Sequence, residues 1–160
     1  MIPQSFHTKT FEYKAYSLLN EAENCAIWEG RNNPEVRKWM TNPEPFSFEQ
    51  HLAFVAGLTK RTDAIYYAVL YNGEVIGSIC LNPFDGAEGE MGKYLLPQYA
   101  GHGYGFSFAQ EFLNYVLTAG VQKVVAKTLI SNEKNQHVNA KLGFVETSRD
   151  DEYVYMELKK

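Results

Sequence analysis

Apolar and polar positions recur along nearly the whole chain, and the change in their period from stretch to stretch predicts the elements. Phe6 to Tyr16 alternates loosely, with Phe11, Tyr13 and Tyr16 among threonine and lysine, and predicts an opening strand. Leu18 to Trp28 has helical spacing and breaks at Asn33-Pro34, and Pro34 to Met40 predicts a short helix with proline in its first position. Pro43 and Pro45 mark a loop. Ser47-Phe48-Glu49-Gln50 has the spacing of a capping box and predicts a helix through about Lys60, burying Leu52, Val55 and Leu58. Ile65 to Tyr71 and Val75 to Leu81, joined by Asn72-Gly73, predict a hairpin. A polar loop, Asn82 to Gly89, should lead to a strand over Glu90 to Leu96, ended by Pro97. A helix then runs to about Ala119, with Phe108, Phe112, Tyr115 and Val116 on one side, and Gly120 stops it. Val121 to Ile130 predicts a strand, Glu133 to Leu142 a helix closed by Gly143, and Val145 to Ser148 with Tyr153 to Leu158 a final pair of strands.

The length of 160 residues is of single-domain size, so residues 1–160 are expected to form one domain with a real core. A formal net charge of -4, with no cluster of lysine or arginine, argues against nucleic acid as a partner. No apolar run approaches membrane-spanning length, so no membrane partner is expected. Cys25 and Cys80 lie far apart, and Met1 to Thr10 has no apolar stretch of the kind that opens a secretory leader, so a reduced, cytoplasmic setting is expected. No metal-ligand spacing appears, and none is predicted. A homodimer is left open.

Three glycines at alternate positions in Gln98-Tyr99-Ala100-Gly101-His102-Gly103-Tyr104-Gly105 stand between a strand and an amphipathic helix. Glycines let the backbone approach an anion, and the unpaired N–H groups at the start of the next helix point at it. No Lys-Ser or Lys-Thr follows, so this is not a Walker A loop, and Phe106 or Phe108 occupies the third glycine of a dinucleotide fingerprint. What remains is Gln-x-x-Gly-x-Gly, at Gln98, Gly101 and Gly103. About thirty residues on lies a second motif, Asn132-Glu133-Lys134-Asn135 through Lys141-Leu142-Gly143-Phe144. By itself its end is only a helix C-cap followed by a core phenylalanine.

The two motifs, in this element order, resemble the GNAT superfamily of N-acetyltransferases over nearly the whole chain. The resemblance implies an α/β (α+β) fold: a central mixed, mostly antiparallel sheet with one parallel, splayed strand pair, flanked by helices. It implies acetyl-CoA as cosubstrate, with no metal, and direct attack by a primary amine of a small molecule within a ternary complex. The implied CoA contacts are Leu95, Leu96, Gln98, Gly101, His102, Gly103, Tyr104, Gly105, Asn132 and Asn135, with an amide N–H at Leu95 or Leu96 polarising the thioester carbonyl. Glu90 occupies the place of the family's base, since an ammonium has no lone pair and must lose a proton before it attacks. Glu88 is the substitute. The family's usual general acid is a tyrosine on the last helix, and the matching residue here is Asn139, an amide without an acid function near neutral pH. Tyr99, Tyr104 and His137 are candidate replacements.

The amino half, with Arg31-Asn32, Trp39-Met40 and Glu49-Gln50-His51-Leu52, resembles more narrowly the N-acetyltransferases of pseudaminic acid biosynthesis. That resemblance implies a nucleotide-linked amino sugar as acceptor, with Arg31, Asn32 and His51 as substrate contacts. Glu29-Gly30 departs from the family, which has its aromatic residue immediately before Arg-Asn. Two readings stay open beside it: acetylation of a polyamine, for which Glu29, Glu35 and Glu44 offer carboxylates, or of a ribosomal-protein N-terminus, and a non-catalytic acyl-CoA sensor.

Overall fold

The computed structural model describes residues 2–160. Eight strands form one sheet in the order β1-β2-β3-β4-β5-β6-β8-β7. Among its pairs only β5 (Glu88–Leu95) and β6 (Lys123–Leu129) run parallel. The hairpin of β3 (Ile65–Tyr71) and β4 (Glu74–Phe84) turns through Asn72 and Gly73, whose φ values of 51 and 82° are those a two-residue turn demands. The carboxyl end carries β7 (Val145–Arg149) and β8 (Tyr153–Lys159).

Helices cover both faces. On one face α4 (Tyr104–Thr118) buries Phe108, Ala109, Phe112, Leu113 and Val116 against Tyr13, Tyr67, Ile79 and Met91, and α5 (Glu133–Lys141) lies beside it. On the other, α1 (Glu21–Asn32) and α3 (Phe48–Leu58) pack over Tyr16, Ala68, Leu70 and Leu96. Between these two helices lies the four-residue α2 (Pro34–Arg37), with proline at its start as the sequence predicts.

Four expectations need correction. The opening strand is two, β1 (Ser5–His7) and β2 (Glu12–Ala15), because a turn intervenes whose Thr8 hydroxyl and Thr10 N–H both donate to Glu111 on α4, at 2.6 and 2.9 Å. The first helix starts later and ends later than its apolar pattern predicts: Asn20 and Glu23 form a capping box, and the helix then continues to Pro34's doorstep at Asn32. On α3 the buried residue is His51, whereas Leu52 is 43% exposed, so the inward stripe is 51, 55 and 58. The loop before β5 shrinks to residues 85–87, since Asp85 accepts from the N–H groups of both Ala87 and Glu88 and closes the chain sharply.

Candidate active site

Strands β5 and β6 pair only from Glu88 to Met91 against Lys123 to Ala126, although β5 continues to Leu95 and β6 to Leu129. Beyond Met91 they part, and a cleft of about 610 Å³ opens there, reaching to the start of α4 and to α2 and α5. The Leu96 N–H donates to Ile76 O at 2.8 Å, on the β4 side. Alternation along an antiparallel pair, with Tyr94 opposite Ser78, then turns the N–H groups of Leu95 and Lys93 the other way, toward the gap. Of the two amides suggested for the carbonyl, only Leu95 faces the cleft. Leu96 is 2% exposed and its N–H is already committed, which removes it as a contact.

The glycine loop leads to a helix end of a particular kind. Helices α1, α2, α3 and α5 each begin with a side-chain cap, from Asn20, Asn33, Ser47 and Asn132. Helix α4, the longest, has none, and its first turn holds no acidic residue. Its N-cap is Gly103 at φ 76°, preceded by Gly101 at 89°, both left-handed conformations that glycine adopts without strain. Nothing lies within 4 Å of where a Cβ would stand at Gly101, Gly103 or Gly105. The first N–H groups of α4 thus meet open space at the positive end of the helix dipole, and Gly101, Gly103, Tyr104 and Gly105 line the cleft. Gln98 and His102 are exposed and lie outside the cleft lining.

Glu90 lines the cleft on the α1–α3 face of the sheet, the same face as Tyr94 and, through its partner Val125, Lys127. Glu88 sits at the strand's start with its carboxylate 3.4 Å from Lys123 Nζ and is no substitute. On the opposite face, Lys93 reaches toward α5. Its Nζ donates to Asn135 Oδ1 at 2.7 Å and to Asn139 Oδ1 at 3.1 Å, while both amide nitrogens turn to Thr128 Oγ1, at 2.9 and 3.4 Å. Removal from water, with no carboxylate to offset it, lowers the Lys93 ammonium to about 8. Lysine is thus a cleft residue that the motif reading passed over. Its signal was parity: Lys93 shares a face with the buried Met91, an unusual place for lysine in a strand.

The candidate replacements for the tyrosine acid fare differently. Tyr99 donates to Glu74 Oε2 at 3.1 Å, outside the cleft, and His137 is exposed on α5. Tyr104 does line the cleft. Asn132 caps α5 by accepting from the Asn135 N–H at 3.2 Å, and both residues line the cleft.

The proposed substrate contacts dissolve into structure for two of three residues. Asn32 donates to Trp28 O at 2.9 Å and accepts from Phe46 N–H at 2.8 Å, tying α1 to the loop before α3. His51 is 3% exposed and bonds through Nε2 to Asn24 Oδ1 at 2.9 Å, inside the α1–α3 contact. Arg31 also braces that loop, through Asn42 O at 3.1 Å, but its Nη1 is buried without a partner.

Comparison with known proteins agrees with this geometry. Residues 19–145 match the family described as the acetyltransferase (GNAT) domain. Two curated relatives are both acetyltransferase PseH of Campylobacter jejuni. The serotype O:2 protein is 29% identical over 90 residues, 56% of this chain and 57% of that protein. The serotype O:23/36 protein is 26% identical over 116 residues, 72% of this chain and 69% of its own length. This chain thus spans little more than half of the first relative. Among solved structures, the Campylobacter jejuni N-acetyltransferase PseH in complex with acetyl coenzyme A superposes with a TM-score of 0.77, 23% identity, and coverage of 94% of this chain and 99% of that one. The spermidine N-acetyltransferase of Vibrio cholerae, in complex with CoA and spermine, gives 0.83 at 18% identity, covering 94% and 95%. At these identities the two structures speak for the fold. The splayed parallel pair, the uncapped glycine-led helix and the domain match together define the class, and the chain belongs to the GNAT acetyltransferase family.

Proposed function

We propose that this chain transfers acetyl from acetyl-CoA directly to a primary amine within a ternary complex, and that the amine belongs to a nucleotide-linked amino sugar. The observation that carries the first part is the open start of α4: it is the one α-helix among the described residues left without a side-chain cap, and it faces the cleft. Such an end suits a pyrophosphate, whose oxygens would accept the free N–H groups from Gly103 onward. The pantetheine arm would then lie along the free edge of β5 as an added strand, with the Leu95 N–H available to the thioester carbonyl. Glu90, on the other face, would take the amine's proton directly or through water.

The acceptor class rests on charge. The cleft lining holds Glu35 and Glu90 against Lys93, Lys127, Lys134 and Lys141, and the Glu35 carboxylate is already 2.9 Å from Lys38 Nζ. A polyamine needs free carboxylates beyond the base, whereas on the face where Glu90 stands Lys127 supplies a cation, which suits an anionic sugar nucleotide better. Glu29 and Glu44, the other acidic residues weighed for a polyamine, are exposed and outside the lining. The likeness of the amino half to the N-acetyltransferases of pseudaminic acid biosynthesis supports the same acceptor class.

CoA release measured with amino-sugar nucleotides, polyamines and peptide N-termini tests both parts. Turnover is expected with the sugar nucleotides. Turnover with spermidine alone would overturn the acceptor, and none with any amine would overturn the reaction. Gly101→Val and Gly103→Val, checked for native circular dichroism, are expected to lose the thermal protection that CoA gives the wild type.

A further inference from the structure

We infer that Lys93 is the acid that protonates the departing CoA thiolate, taking the place left by the tyrosine that Asn139 replaces. The inference rests on the acetyl-CoA reading above and adds a residue to it.

Three observations support the assignment. Asn139 is 1% exposed and points its carboxamide oxygen at Lys93 Nζ, so the position aligned with the family's acid touches the lysine instead. An ammonium has three protons, and two are engaged, by Asn135 and Asn139; no third partner exists among the described residues. Thr128 orients both amides, taking their N–H groups and leaving their oxygens to the ammonium. The lysine is therefore clamped, with one proton free in the cleft beside β5. A lysine held by a carboxylate would be a poor acid, because the ion pair would keep the proton. Here neutral oxygens do the holding, and the proton leaves easily: near 8, the ammonium is matched to a thiol of about 8.5.

The balance of the step is simple. The amine, having lost one proton toward Glu90, forms the C–N bond; the C–S bond breaks, its electron pair goes to sulfur, and the nitrogen's second proton is released to water. Lys93 supplies the proton that makes CoA a thiol, and the neutral amine left behind regains one from water. Base and acid stand on opposite faces of the sheet, as transfer through the β5–β6 gap requires. The other charged groups of the lining are Glu90 and Lys127 on the far face, Glu35 on α2, and Lys134 and Lys141 on α5. None of them forms an ion pair with Lys93; the α4 residues of the lining are uncharged.

The test uses the full chain, with the acceptor found active in the CoA-release assay, and follows kcat and the KM for acetyl-CoA from pH 6 to 10. Wild-type kcat is expected to fall above about pH 8, because the protonated lysine is the working form. Lys93→Met should lower kcat at pH 7 by about 100-fold, the lower end of what a positioned proton donor contributes, with the KM for acetyl-CoA changed less than about 3-fold and the alkaline fall abolished. Lys93→Arg keeps the charge but holds its proton, and should lose kcat likewise. Either variant suffices if the other fails to fold. A kcat unchanged with a raised KM would make Lys93 a binding residue, and recovery by arginine would show that charge alone is needed; both results overturn the proposal. A wild type without CoA release would overturn the acetyltransferase reading itself.

Discussion

Glu90 and Glu88 are two residues apart on one strand and have different fates, which only their neighbours explain. Glu88 pairs with Lys123, which Glu157 also reaches, at the start of the strand, whereas Glu90 stands in the cleft without an ion partner among the described residues. Glu90→Gln is expected to lower kcat at pH 7 by about 100-fold, with the loss shrinking toward pH 10, where the amine is already free of its proton. Equal loss at every pH would assign Glu90 a structural role. Glu88→Gln should leave the urea-unfolding midpoint essentially unchanged, as an exposed pair contributes little.

At the scale of elements, the contact of α1 with α3 depends on a neutral histidine. His51 is lowered from its usual range by burial, and its ring N–H bonds to Asn24 Oδ1. A histidine whose folded pKa lies below its unfolded one leaves the unfolded chain holding more protons at acid pH. Stability is therefore complete above about 6.5 and lost as pH falls below it. The thermal midpoint should drop between pH 6.5 and 5, and His51→Gln, which can still donate to Asn24, should flatten that drop. Strands β4 and β5 depend on a close approach instead. A Cβ at Gly77 would stand 2.6 Å from Tyr94 O and 3.0 Å from the Phe108 ring. Gly77→Ala should destabilise the protein by about 1–3 kcal/mol in urea, since backbone and a buried ring must both give way.

Across the whole molecule, one ligand would link elements far apart in sequence. Bound CoA would engage β5 and α4 together and is expected to stabilise the fold by about 2.7 kcal/mol at a hundredfold excess over Kd. Hydrogen exchange should report where: slowing at Leu95 and at residues 103–106, with the Leu96 amide, already bonded to Ile76, unchanged. Slowing confined to other elements would contradict the placement of the ligand.

Local chemistry alone determined much of this protein. Asn72-Gly73 specified a hairpin because both residues tolerate positive φ, and Ser47 with Gln50 specified the start of α3 because each side chain caps the other's backbone. The glycines before Tyr104 and the element order were enough to suggest the family. What the sequence left open were matters of partners distant along the chain. Glu111 divides the first strand from 103 residues away, and no local period records it. Asn32 and His51 read as substrate contacts because polar residues near a motif look available, and only packing reveals that Phe46 and Asn24 already hold them. Lys93 looked ordinary until α5 came within hydrogen-bond reach, since its acidity arises from burial beside two amides from a helix 42 and 46 residues further on. Torsions and caps are properties of neighbours in sequence; desolvation and hydrogen-bond satisfaction are properties of neighbours in space, and the tertiary structure alone supplies those.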